Sequence, residues 1–78
     1  MAKTFEDRAV NLGAALVHHV GARQHDAWAH SNANKAAEHA AQGHYVRAAL
    51  RTVLAAVNAT SAEAARVERN RLAREGLT

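Results

Sequence analysis

Apolar residues recur at helical spacing in two separate blocks of this chain. Phe5, Ala9, Leu12, Leu16 and Val20 follow one another at intervals of three and four, with Val10 and Val17 beside them. That period places them on one side of a helix. Val46, Ala49, Leu50, Val53, Leu54 and Val57 give a second face of the same kind. Between the blocks, Trp28 is the only bulky apolar group, and Ala29, Ala33, Ala36, Ala37 and Ala40 form a small-residue stripe suited to close helix packing.

Local signals divide these patterns into elements. Thr4 is placed to cap a first helix, and Glu6 and Asp7 put negative charge at the positive end of its dipole. Gly21 marks its end or a bend, because glycine costs helix stability. A second helix follows from about Ala22 or Asp26 to Gln42, with Ser31 as a competing start, and Gly43 closes it. A third, long helix runs from Tyr45 to about Arg74, with a bend possible at the Thr60/Glu63 capping-box pair, and Gly76 ends it. The pattern therefore predicts an all-α fold, a small antiparallel helical hairpin or three-helix bundle with a long C-terminal helix. Residues 1–78 would form one helical domain with helices at about 4–20, 22–42 and 45–74.

The string Ala37-x-x-Ala40-x-x-Gly43-x-Tyr45-x-x-Ala48-x-Leu50 resembles the turn between the paired helices of tetratricopeptide-type hairpins. The resemblance covers Ala37–Leu50 only. It implies an antiparallel hairpin in which small residues line the contact, Gly43 closes the first helix and Tyr45 packs across the turn. No peptide-binding function is carried over with it.

Composition sharpens the picture. Alanine supplies 21 of 78 residues, while proline and cysteine are both absent. Alanine is the strongest helix former and proline the weakest, so nearly the whole chain can be helical. Alanine also buries little surface, and Phe5, Trp28 and Tyr45 are the only aromatics. Small domains without disulfides or metal usually lean on oligomerisation. The expected partners are therefore a second copy of the chain, a larger protein, or both. Tyr45 is expected in the core beside the turn, and Trp28 divides evenly between core and exposed anchor. The candidate contact residues are Phe5, Leu12, Leu16, Val20, Trp28, Leu50, Val53 and Val57.

The net charge is +3, from 10 basic and 7 acidic residues. Arg47, Arg51, Arg66, Arg69 and Arg74 are the candidates for an alternative role as a nucleic-acid-binding regulator. The Arg66–Arg74 string departs from a bZIP basic region in its small residues and lacks a zipper. Glu38, His39 and His44 fit a helix-turn-helix over Asn34–Leu54 poorly. Glu63–Arg66, Glu68–Arg71 and Arg71–Glu75 instead sit at pairing distance along one helix.

Six histidines are scattered along the chain. None forms the His-x-x-x-His pair of helical zinc sites, so no metal or cofactor is expected. Phosphate-binding glycine loops and nucleophile contexts are likewise missing, which excludes the common enzyme classes. The first turns carry Glu6, Asp7 and Arg8 rather than a signal core, and no run is long enough to span a membrane. With no cysteine, the expectation is a cytoplasmic, non-enzymatic interaction or assembly module, such as a bacterial or phage adaptor, accessory or inhibitory protein.

Overall fold

A computed structural model describes residues 3–78. Two α-helices account for nearly all of them: α1, Phe5–Ala41, and α2, Tyr45–Leu77. They pack antiparallel as a single hairpin. Side-chain contacts run from Asn32–Asn58 near the turn, through Asp26–Arg66, to Lys3–Glu75 at the open end.

The expected division into three helices is not seen. α1 passes through Gly21 without interruption, and Ser31 begins no new helix. A single helical glycine costs about 0.5–1 kcal/mol, too little to break a helix of 37 residues whose other side chains favour it. The Thr60/Glu63 pair forms no capping box either. Thr60 donates its hydroxyl to the Ala56 carbonyl inside a continuous α2. Gly76 does not stop the helix; it is buried within its last turn.

The helix ends follow local chemistry. Thr4 accepts from the Asp7 amide at 3.1 Å, and the Asp7 carboxylate accepts from the Thr4 amide at 3.2 Å. This reciprocal pair satisfies two free donors at the start of α1. At the other end, the His44 amide donates to the His39 carbonyl and the Gly43 amide to the Ala40 carbonyl. Gly43 has φ +77°, the left-handed conformation that this type of helix closure requires. The turn is thus set by the one glycine in the chain that needs positive φ.

The seam between the helices has a strict rhythm. The centre of the seam on α1 is formed by Asn11, Ala15, His18, Ala22, His25, Ala29, Asn32, Ala36 and His39, with Ala14, His19, Gly21 and Asp26 half-buried beside it. On α2 it is formed by Ala48, Arg51, Ala55, Asn58, Ala62, Ala65, Arg69, Leu72 and Gly76, with Ser61, Arg66, Glu68, Ala73 and Glu75 half-buried beside it. Both series alternate steps of three and four, the average period of 3.5 that keeps two helices in register. What occupies these positions is unusual. Alanine recurs every seventh residue, and polar side chains fill most of the slots between.

The buried apolar side chains among the described residues are Ala15, Ala22, Ala36, Ala62 and Leu72. Only Leu72 approaches the roughly 1.5–3 kcal/mol that full burial of a large aliphatic group contributes. Tyr45, expected in the core, is exposed instead. The rod is also extended, with axes of 60 × 15 × 11 Å. Its radius of gyration is 17.6 Å, against about 11.5 Å for a compact chain of this length.

Candidate interaction surface

Because alanine and polar residues occupy most of the seam, the large apolar side chains other than Leu72 lie largely outside it. Phe5 is 84% exposed, Leu16 64% and Val53 60%. Leu12, Val20, Leu50 and Val57 are also exposed, and Trp28 is half exposed. The first group belongs to the opening turns of α1 and the second to the opening turns of α2. In an antiparallel hairpin those segments are at opposite ends. Phe5, Leu12, Leu16 and Val20 therefore do not share a patch with Leu50, Val53 and Val57.

The two flanks of the seam differ. One is bridged by charge: Arg66 Nη1 donates to Asp26 Oδ2 across the helices at 2.8 Å, and Arg66 Nη2 reaches Glu63 at 3.0 Å. Nearby, Arg69 Nη1 lies 3.1 Å from His19 Nδ1. A guanidinium only donates, so Nδ1 is the acceptor and the imidazole proton sits on Nε2. The opposite flank follows from the seven-residue register. It carries Val17, Gly21 and Trp28 from α1, and Leu50, Leu54 and Val57 from α2. Gln24, Ser31, Ser61 and Ala64 lie on it too, and it also carries Lys35 and Glu38 from α1 and the Glu68–Arg71 ion pair from α2. Only its middle, where Gln24, Trp28 and Ser31 lie beside Val57, Ser61 and Ala64, is uncharged on both helices, about 10 Å at 1.5 Å per residue.

Leu54, Val17 and Gly21 belong to this strip but were not among the candidates read from the sequence. The signal that would have found them is the alanine repeat, which defines the seam and hence its flanks. Gly21 is informative in a second way. A Cβ built there meets nothing within 4 Å, so the hairpin itself has no use for a glycine at that position. Gly76 is the reverse: an added Cβ would lie 2.6 Å from Leu12 Cγ and 3.1 Å from the Arg8 carbonyl oxygen.

The arginines of the alternative reading are dispersed. Arg51 donates to Asn32 Oδ1 at 2.9 Å, and Asn32 in turn donates to Asn58. Arg66 and Arg69 are engaged as described. Arg47 near the turn and Arg74 near the open end are separated along α2 by about 40 Å at 1.5 Å per residue. No continuous basic track joins the five.

Two carboxylates are shifted. The Arg71 guanidinium, hydrogen-bonded to Glu68, holds that carboxyl below the usual glutamate value of 4.5. Lys3, bonded to Glu75 at 2.5 Å, does the same at the open end. Among the described residues no group of three or more His, Asp or Glu could hold a metal ion. No helix there is long and apolar enough to cross a membrane. An open hollow lies beside Lys3, Asp7, Val10 and Asn11. The chain matches no known family model, curated protein or solved structure.

Proposed function

We propose that the protein is a small non-enzymatic assembly or interaction module that works through the apolar outer surface of its helices. One observation carries this reading: the hairpin closes on alanine, asparagine and histidine and leaves its large apolar side chains outside. A helix normally turns its bulky apolar stripe toward a core. Here that stripe has no partner within the chain, and exposed apolar patches of this kind mark contact sites. An adaptor, accessory or inhibitory role fits a module with contact surfaces and no reactive cluster.

Arginine-mediated nucleic-acid binding is the weaker alternative. Three of its five side chains are occupied by contacts within the hairpin, and the other two are far apart. Salt separates the two readings. Apolar association persists or strengthens at high salt, whereas phosphate contacts weaken steeply.

The reading is tested with Leu16→Asp and Val53→Asp, which place a charge on each exposed face. Each should abolish association while far-ultraviolet circular dichroism stays helical. The reading fails if the wild-type chain neither self-associates nor forms a complex, reconstituted from purified components, that these variants abolish.

A further inference from the structure

We propose that His19 and His39 make the hairpin pH-sensitive: the seam closes when both rings are neutral and loosens when they take up protons. The proposal stands apart from the assembly reading, because it concerns the contact between the two helices themselves.

Position comes first. His19 is half-buried beside the seam in the middle of α1, and His39 is half-buried in the seam one turn before Gly43. Arg69 Nη1 lies 3.1 Å from His19 Nδ1. A guanidinium can only donate, so this bond exists only while Nδ1 is bare. A proton there replaces the acceptor by a donor and sets two cations against each other across the helices. His39 Nδ1 is buried and has no hydrogen-bond partner among the described residues. The neutral ring leaves it bare with the proton on Nε2, whereas the imidazolium must carry an N–H at both nitrogens. A buried donor with nothing to accept it is disfavoured.

The charges around the two rings point the same way. Across from His19, α2 presents Arg69, with Arg66 one turn away, and Arg23 lies one turn on in α1. Asp26, the carboxylate of this stretch, is already paired with Arg66. Around His39 stand Lys35 in α1, Arg47 and Arg51 at the start of α2, and His44 in the turn, its ring centroid 5.9 Å away. Glu38 is the carboxylate set against them.

The other two seam histidines keep different company. His18 lies near the Glu68 carboxylate. His25 Nδ1 is buried without a partner, like that of His39. Its ring, however, stands 5.3 Å from the Trp28 ring and next to Asp26, neighbours that accommodate a cation. The response is therefore assigned to His19 and His39 alone.

Unfolding frees both rings to bind protons at histidine's ordinary value of about 6.5. The unfolded chain then holds more protons than the folded one, so stability is complete above about that pH and declines below it. Aspartate and glutamate side chains remain ionised down to about pH 5, which separates this step from the response of Glu68 and Glu75 in stronger acid.

The test follows the thermal midpoint of the full chain by circular dichroism from about pH 7.5 to about pH 5.5, at one protein and salt concentration. The wild-type midpoint should fall by about 5 °C or more. His19→Asn combined with His39→Asn keeps an acceptor near each Nδ1 and cannot be protonated, so this variant should hold its midpoint. His18→Asn and His30→Asn should each keep the wild-type fall. An unchanged wild-type midpoint overturns the proposal, and so does an equal fall in the double variant. Nitrogen NMR of the wild-type rings tests it without substitution. His19 and His39 should take up protons only as the hairpin opens, and protonation of both in an intact hairpin overturns the proposal.

Discussion

Glycine shows how different the same residue is at different places in this rod. Gly13 has nothing within 4 Å of where a Cβ would sit, whereas Gly76 is pressed against Leu12 and the Arg8 carbonyl. Gly13→Ala should therefore stabilise the helix by about 0.5–1 kcal/mol. Gly76→Ala meets a backbone oxygen that cannot swing aside, and overpacking of this kind costs about 1–3 kcal/mol. Paired urea titrations of the two variants should move the midpoint in opposite directions. The polar seam is equally local in its logic. Asn32 both donates to Asn58 and accepts from Arg51. Such a bonded asparagine in a helix seam favours one register over its neighbours. Asn32→Ala should cost about 1 kcal/mol for each net hydrogen bond lost, read as a lower urea midpoint.

Each helix was legible in part at the scale of the element. Thr4 as cap, Gly43 as closure and the Glu–Arg pairs of α2 followed from residue type and spacing, because those interactions span only a few residues. The break at Gly21 did not follow, since a penalty of this size is overridden by the alanine-rich sequence on either side. The inner face was legible only in part: Ala29 and Ala36 belong to the small-residue stripe of the sequence, whereas the contact also uses Ala15 and Ala22 against Ala48, Ala55 and Ala62. Small side chains let two helices come close, and that preference has no mark in a search for bulk. Ala62 is fully buried, so Ala62→Leu should force the helices apart and cost about 1–3 kcal/mol in thermal unfolding.

The ion pairs add a pH dependence at the same scale. Glu68 and Glu75 titrate below the usual glutamate value of 4.5 in the folded chain. A carboxylate lowered by folding contributes stability above its unfolded value, and that contribution is lost as pH falls through the folded one. Helicity should therefore fall in the acid range below about 4.5. Both groups are solvent-exposed, so the change is small and salt-sensitive. Glu75→Gln should remove the part that depends on Lys3, read as a smaller loss of helicity on acidification.

At the scale of the whole molecule, the hairpin is long, thin and lightly cored. The buried apolar side chains among the described residues are mostly single methyl groups, while the largest apolar residues face outward. Sequence alone pointed to association because so little bulk was present, and it drew the contact residues from two separate apolar faces. The antiparallel fold separates these faces to opposite ends. That outcome depends on which residues meet across the turn, a long-range property that local spacing does not encode.

The central claim is that the hairpin depends on a second surface to complete its burial. The most direct measurement is the thermal unfolding midpoint of the wild-type chain, followed by circular dichroism across a wide range of protein concentration. Stability coupled to association makes the midpoint rise with concentration. The account predicts that rise. A sharp midpoint that is independent of concentration, in a chain of monomeric mass, would contradict it.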